Sequence, residues 1–151
     1  RLLSLEGWGD KIFRKLVQLR LRAKYQIECS CQSIGAPIRI PHPRGIILSA
    51  KSIGSNCFIG PYVTIGGNNQ KSRPDPYNNN SIIKTPEICD NVQILQGAVV
   101  AGPIIIGNDV IIGANTTVTR DVPPHTLLYS SSQISRQRVT VPGWKGPFIK
   151  E

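Results

Sequence analysis

The sequence is poor in aromatic residues and histidine and contains no methionine. Aromatic residues make up 6% of the 151 residues, and histidine occurs only at positions 42 and 125. Within these residues no apolar run has the length of a transmembrane helix, and no signal peptide is visible. The absence of methionine, even at position 1, leads us to expect a longer gene product that begins before Arg1.

Several motifs of common enzyme classes are also missing. The chain has no phosphate-binding P-loop, no Rossmann fingerprint and no cluster of metal ligands, so we predict no metal site. The four cysteines, at positions 29, 31, 57 and 89, lack the spacing of a zinc ribbon. We therefore interpret them as reduced, structural cysteines of a cytoplasmic protein.

The net charge of +9 is concentrated at the two ends of the chain. Residues 1–24 carry seven Lys and Arg against two acids, whereas residues 33–123 carry seven against five. Basic ends suit nucleic acid or an anionic membrane surface. We favour a solvated helix and tail, with peripheral proximity to a membrane and no nucleic-acid partner.

A hexapeptide repeat dominates the sequence. From Ile88 onwards every sixth residue is aliphatic, and the residue four positions later is small or β-branched, through to Val122. Neither an α-helix nor an amphipathic strand has this period, which predicts a parallel β-helix whose aliphatic residues stack inside the coils. An earlier part of the repeat starts at Ile34, slips by one residue after His42-Pro43-Arg44-Gly45 and resumes at Ile47.

This pattern predicts an all-β solenoid with three regions. Residues 1–33 form an N-terminal cap, in which Asp10 begins an amphipathic helix over 10–24. Residues 34–123 form the β-helix, interrupted at 66–81 by a long loop that is rich in Gly, Asn and Pro. Residues 124–151 form an extended tail. Because a long loop in a regular body is usually functional or disordered, we expect this one to carry function.

The segments 38–48, 53–67 and 86–126 resemble the left-handed β-helix hexapeptide-repeat acyltransferases. The likeness is strongest to the serine O-acetyltransferase-like branch, which includes O-acetyltransferases of surface polysaccharides. The resemblance implies acetyl-CoA as acyl donor, direct transfer in a ternary complex, and homotrimers with their sites between neighbouring subunits.

Two residues are the candidates for proton transfer. Histidine suits a general base because its ordinary pKa lies near neutrality, and His42 matches the family's catalytic histidine. A carboxylate commonly orients such a histidine, and Glu28 is the only one between Asp10 and Asp75. Glu28 matches the family's position only with a one-residue slip, so the alternative is a backbone carbonyl. We interpret His125, after the last repeat, as structural.

The resemblance also suggests residues that bind the coenzyme and the acceptor. The candidates for coenzyme binding are Gly66, Gly67, Gly97, Ala98, Gly113 and Ala114. A backbone N–H near Gly66 or Gly67 is also the candidate donor to the oxyanion. The candidates for acceptor binding are Arg44, Asn68, Asn69, Lys84 and Thr85. Serine acetyltransferases carry an Arg-His pair where this chain has Lys84 and Thr85.

Because the family histidine is replaced and the loop is polar, the sequence favours a saccharide acceptor. We expect an O-acetyltransferase of a capsular or other surface polysaccharide or its sugar precursor. One alternative is a serine O-acetyltransferase of cysteine biosynthesis. The other is a non-catalytic β-helix module of a larger protein.

Overall fold

The computed structural model describes residues 8–68, 72–76, 78–129 and 136–137. The first element is α1 (Trp8–Tyr25), an α-helix that starts two residues before the predicted cap, Asp10. Asp10 thus lies in the first turn of the helix and not at its N-cap. In the described part of the chain no helix is both long and apolar enough to cross a membrane.

The strands follow α1 in about five coils of three short segments each. The first coil contains β1 (Ile27–Cys29), β2 (Ser33–Ile34) and β3 (Ile38–Arg39). The second contains β4 (Ile46–Leu48), β5 (Ser52–Ile53) and β6 (Cys57–Ile59). The third contains β7 (Thr64–Gly66), the inserted strands β8 (Arg73–Asp75) and β9 (Asn78–Ile83), β10 (Glu87–Ile88) and β11 (Gln93–Ile94).

The last two coils complete the stack. The fourth contains β12 (Val99–Ala101), β13 (Ile105–Ile106) and β14 (Ile111–Ile112). The fifth contains β15 (Thr117–Val118), a single bridge at Val122 and β16 (Thr126–Leu128). The final strand, β17 (Arg136–Gln137), pairs antiparallel with β16.

Equivalent strands of successive coils form three parallel sheets. Sheet A has the order β1-β4-β7-β12-β15, and sheet B has the order β2-β5-β10-β13. Sheet C has the order β3-β6-β11-β14-β16 and ends on β17. The prediction of a left-handed parallel β-helix with one short helix is confirmed. Each turn is named after the sheets that it connects, as the A–B, B–C or C–A corner. The C–A corner joins the end of one coil to the start of the next.

The aliphatic residues of the repeat stack inside the coils. In sheet B, Ile53 lies beside Ile88 and Ile88 beside Ile106, and each side chain is at most 1% exposed. Sheets A and C contribute similar columns, which include Ile65, Val100, Ile59, Ile94 and Ile112. Removal of this apolar surface from water is the main stabilising contribution.

The repeat resumes one residue later than the sequence suggested. Leu48 pairs with the buried Ile65 and is 3% exposed, whereas Ile47 is 43% exposed. The first coil also begins earlier than expected, at Ile27. Ile34 lies in that coil and is 42% exposed, because no coil within the described residues precedes it to cover the end of the core.

Left-handed backbone conformations recur at two corners. The residues at the B–C corner are Asn56, Asn91, Asp109 and His125, and those at the C–A corner are Gly45, Tyr62, Gly97 and Asn115. Gly, Asn and Asp tolerate this conformation, which explains their frequency here. The His125 imidazole Nδ1 lies 3.2 Å from an Asp109 carboxylate oxygen and so adds a further contact to the B–C corner.

Candidate active site

His42 lies at the C–A corner between β3 and β4, with an exposed side chain. The turn ends at Gly45, whose φ is +59°. A Cβ at Gly45 would lie 2.6 Å from the ring of Tyr62, and the Tyr62 N–H donates a hydrogen bond of 2.8 Å to the Arg44 carbonyl. Tyr62 therefore packs against the turn that presents His42. Tyr62 is not among the residues that the sequence predicts for the site, although it lies one coil beyond Gly45.

Glu28 lies on the outer face of β1, where it pairs with Ile47. Its carboxylate is 2.7 Å from the Arg22 guanidinium of α1, and both side chains are more than half exposed. Among the described residues, no hydrogen bond or ion pair joins Glu28 to His42. The role of Glu28 in orienting the histidine stays a prediction.

A second group of predicted residues meets at the A–B corner of the third coil. Gly66 ends β7, and an ideal Cβ there would have open space around it. At Gly67 a Cβ would lie 2.6 Å from the Lys84 carbonyl and 3.1 Å from the Thr85 methyl group. Gly67 therefore permits close packing of the two chain segments. Asn68 is exposed at the same corner, and Asn69 lies outside the described residues.

The remaining coenzyme candidates lie at the C–A corners of later coils, and two of them are inside the body. Ala98 is fully buried in the core, and its N–H and carbonyl are both hydrogen-bonded within the coils. Gly113 is buried, and its N–H donates to the Leu128 carbonyl at 2.8 Å. We therefore leave both out of the proposed coenzyme site. Gly97 is partly exposed and Ala114 is exposed.

The candidates thus form two clusters at opposite edges of sheet A. The C–A cluster consists of His42, Arg44, Gly97 and Ala114. The A–B cluster consists of Gly66, Gly67, Asn68, Lys84 and Thr85. A strand of three residues spans about 10 Å, so each chain presents the two clusters on either side of one narrow face.

The inserted segment is more ordered than a polar loop would be. Strands β8 and β9 pair as an antiparallel hairpin. The ammonium group of Lys51 donates to Asp75 at 2.5 Å and to Glu87 at 2.9 Å, and Ser81 donates to the same Asp75 oxygen at 2.9 Å. Asp75 is 2% exposed. The hydrogen bond to Asp75, and to a smaller extent the one to Glu87, raises the pKa of Lys51. Lys51 therefore stays charged at neutral pH.

A second contact holds the hairpin to the fifth coil. Arg73 donates to both carboxylate oxygens of Asp121, at 2.6 Å and 2.8 Å. One of these oxygens also accepts a hydrogen bond from the Ile105 N–H. The bidentate geometry is the strongest form of this pair. The hairpin is therefore attached to the second, third and fifth coils.

Comparison with known proteins agrees with the fold. A family model described as bacterial transferase hexapeptide (six repeats) matches residues 85–120. A serine acetyltransferase of Mycobacterium tuberculosis is 34% identical over 117 residues, which cover 76% of this chain and 46% of that protein. The chain belongs to the hexapeptide-repeat transferases. The chain spans less than half the length of the curated relatives that it matches.

Solved structures that are similar to this chain support the same fold. The Neisseria gonorrhoeae serine acetyltransferase has a TM-score of 0.70 at 24% identity, over 89% of this chain and 49% of that one, and supports the fold alone. Entamoeba histolytica serine acetyltransferase 1, solved with L-cysteine, has a TM-score of 0.65 at 27% identity. The match covers 80% of this chain and 45% of that one.

The prediction of a polysaccharide acceptor is wrong. Several curated relatives of this chain are serine acetyltransferases, and so are several similar solved structures. The polar composition of the inserted segment misled the prediction. Asp75 and Arg73 bind to residues of the coils, and Ser81 donates to Asp75. Their polarity is therefore explained by anchoring of the hairpin.

Metal chemistry was not expected from the sequence. In residues 8–68, 72–76, 78–129 and 136–137, no group of three or more His, Cys, Asp and Glu side chains is placed to hold a metal ion.

Proposed function

We propose that this chain is an acetyl-CoA-dependent serine O-acetyltransferase, with His42 as the general base. The observation that carries the proposal is its 34% identity with a serine acetyltransferase over 76% of the chain. Similar solved serine acetyltransferases include one in complex with serine and one in complex with CoA. The identity with a curated serine acetyltransferase supports acetyl-CoA as donor and serine as acceptor.

In the proposed reaction, the serine hydroxyl oxygen attacks the thioester carbonyl carbon while His42 accepts the hydroxyl proton. The tetrahedral intermediate collapses with cleavage of the carbon–sulfur bond, and the imidazolium returns the proton to the departing thiolate. A backbone N–H at Gly66 or Gly67 would stabilise the oxyanion. The exposed position of His42 and the open space at Gly66 support these roles.

We assign the amino-acid backbone of the acceptor to the A–B cluster. Lys84 is exposed beside Gly67 and supplies a positive charge for the serine carboxylate. Thr85 retains a hydroxyl donor where the family has histidine. This replacement predicts weaker serine binding than in relatives with the Arg-His pair, but it leaves the charge complementarity in place.

We further propose a homotrimer in which the C–A cluster of one subunit faces the A–B cluster of its neighbour. The placement of the two clusters on opposite edges of sheet A supports this arrangement. The acetyl-CoA arm would then pass Gly97 and Ala114 on its way to His42. Both the acceptor and the donor are small molecules of the cytoplasm, where we expect the enzyme to act.

The test is release of free thiol from acetyl-CoA with serine, homoserine or threonine as acceptor. We expect serine-dependent release in the wild type. In His42→Asn we expect a decrease of about a hundredfold to ten-thousandfold, because the base is lost. The matched control is His125→Asn, which changes the only other histidine and retains a residue that tolerates the left-handed conformation.

Equal rates in the two variants would exclude His42 as the base. Release with another hydroxyl acceptor but not with serine would overturn the acceptor assignment. Failure to bind acetyl-CoA would favour the non-catalytic β-helix module. Circular dichroism of both variants separates each of these outcomes from misfolding.

A further inference from the structure

Cys29 and Cys31 occupy the first layer of the solenoid core. Cys29 pairs with Leu48, and the hydrogen bonds from Ser30 to Leu48 and from Gln32 to Ala50 continue this register beyond β1. Leu48 and Ala50 are 3% and 2% exposed, so both face the interior. The two cysteines therefore lie side by side on the inward face of the first coil. In the part of the chain that the structure describes, no coil covers them, and both are only partly buried.

Cys29 is also accessible from a groove between α1 and sheet A. This groove has a volume of about 510 Å³, and Cys29 lies in its wall. The charged groups that face it are Lys15 and Arg22 of α1 and Glu28 of β1. Gln18 donates a hydrogen bond of 3.4 Å to the Cys29 carbonyl, which ties α1 to the same strand. Cys29 therefore borders a groove that is large enough to admit a small oxidant.

The two thiols interact with each other directly. Hydrogen bonding between the two thiols lowers the pKa of Cys29 to about 6. The same hydrogen bond, together with burial, raises the pKa of Cys31. One thiol is thus activated as a nucleophile while its neighbour retains a proton. This is the arrangement expected for attacking and resolving cysteines.

The other two cysteines provide an internal comparison. Burial raises the pKa of Cys57 to about 11 and also raises that of Cys89. Cys57 is fully buried and donates to the Cys89 carbonyl at 3.3 Å. Cys89 is partly buried, as Cys29 is, but burial and the nearby Glu87 and Asp90 carboxylates raise its pKa.

We propose that Cys29 and Cys31 form a redox-active dithiol that a hydroperoxide oxidises to an intrachain disulfide. The Cys29 sulfur attacks the peroxide, the O–O bond breaks, and a sulfenic acid forms with release of water or an alcohol. The Cys31 sulfur then attacks the Cys29 sulfur, and a second water leaves. Two electrons pass from the two thiols to the peroxide. Once the Cys29 thiolate is consumed, the interaction that retains the Cys31 proton is lost.

The proposal is tested by thiol mapping of the whole chain. The protein is treated with hydrogen peroxide, blocked with N-ethylmaleimide, digested without reductant and analysed by mass spectrometry. We expect a peptide that contains Cys29 and Cys31, lacks the blocking group and is lighter by two hydrogens. Separately, alkylation at pH 7 should be about tenfold faster at Cys29 than at Cys89, because the thiolate fraction outweighs the lower nucleophilicity.

Single variants distinguish the roles of the two thiols. Cys31→Ser should accumulate sulfenic acid on Cys29, detected as a dimedone adduct, and Cys29→Ser should lose the fast reaction. Cys89→Ser is the matched control and should behave as the wild type. Equal reactivity of Cys29 and Cys89, a bond between subunits, or oxidation confined to Cys57 and Cys89 would overturn the proposal. Thermal melting of each variant shows whether the fold is retained.

These measurements do not depend on catalysis. Glu28, the predicted partner of His42, directly precedes Cys29 in β1. An effect of Cys29 oxidation on acetyl transfer would therefore rest on the proposed function. The mass of the peptide decides the redox proposal even if the chain proves to have no transferase activity.

Discussion

At the scale of single residues, position in the coil decides what a side chain contributes. Ile46, Ile47 and Leu48 are consecutive and similar in hydrophobicity. Ile46 and Leu48 are buried in the core, whereas Ile47 lies on the outer face of β4 and is 43% exposed. Sequence period identifies such columns where it is regular, in residues 88–122. It could not place the residues after His42, because the turn there changes the spacing.

A pair of isoleucines tests this difference. Ile106 is fully buried, and Ile82 on the hairpin is 64% exposed. We expect Ile106→Ala to lower the free energy of unfolding by about 2–5 kcal/mol, because it leaves a cavity in the stack. Ile82→Ala should change it by no more than about 0.5 kcal/mol. Urea denaturation followed by circular dichroism measures both, and equal losses would contradict the assignment of the core.

At the scale of elements, the hairpin β8–β9 shows what the sequence could not reveal. Its composition predicted a structureless loop, yet Asp75 is buried against Lys51, which lies 24 residues away, and Arg73 binds Asp121, which lies 48 residues away. Contacts between residues so far apart leave no local pattern in the sequence. The break in the hexapeptide period located the insertion, but only the folded coils show what the insertion binds.

Removal of the Lys51 ammonium tests the anchor. Lys51→Met removes the ammonium group that binds the buried Asp75 carboxylate and the partly buried Glu87 carboxylate. We expect a loss of about 3 kcal/mol in the free energy of unfolding at neutral pH. Because the pKa of Lys51 is raised, its contribution is present at neutral pH and is lost only as the pH rises through that raised value.

The matched control for this variant is Lys15→Met. Lys15 is exposed on α1, and its substitution should change stability by no more than about 0.5 kcal/mol. Chemical denaturation at pH 7 compares the two. A Lys51→Met protein as stable as the control would show that the network contributes no net stability and that other contacts hold the hairpin.

At the scale of the whole molecule, the repeat predicted the solenoid but not how its corners share a site. His42 and Gly67 were assigned to one active centre, and both lie at corners of the coils. Their separation by sheet A depends on which corner each turn occupies, and that depends on the one-residue slip and on the insertion. The hexapeptide period gives only the spacing of residues along the chain. It does not show which edge of the sheet a given turn reaches.

An active site that is shared between subunits of the proposed trimer can be distinguished from a site contained in one chain. His42→Asn and Gly67→Val would each inactivate a homotrimer, the second because a side chain cannot fit beside Lys84 and Thr85. In mixed trimers from coexpression, some clefts combine the intact C–A cluster of one subunit with the intact A–B cluster of another. Serine-dependent thiol release should therefore reappear in the mixture.

Each variant expressed alone is the control, and size-exclusion chromatography verifies that the mixed species forms. No recovery of activity in verified mixed trimers would show that both clusters serve one site within each chain, which would contradict the shared cleft.

The inserted hairpin has a consequence for how such proteins diversify. In the regular coils 18 residues separate Val100 from its partner Val118, whereas 35 separate Gly66 from Ala101 across the insertion. Doubling the length of a closed loop costs only about 0.6 kcal/mol in chain entropy. The third coil can therefore exchange, lengthen or lose its insertion in evolution while the stacked isoleucines stay the same. New acceptor preferences can arise at this corner without a new fold.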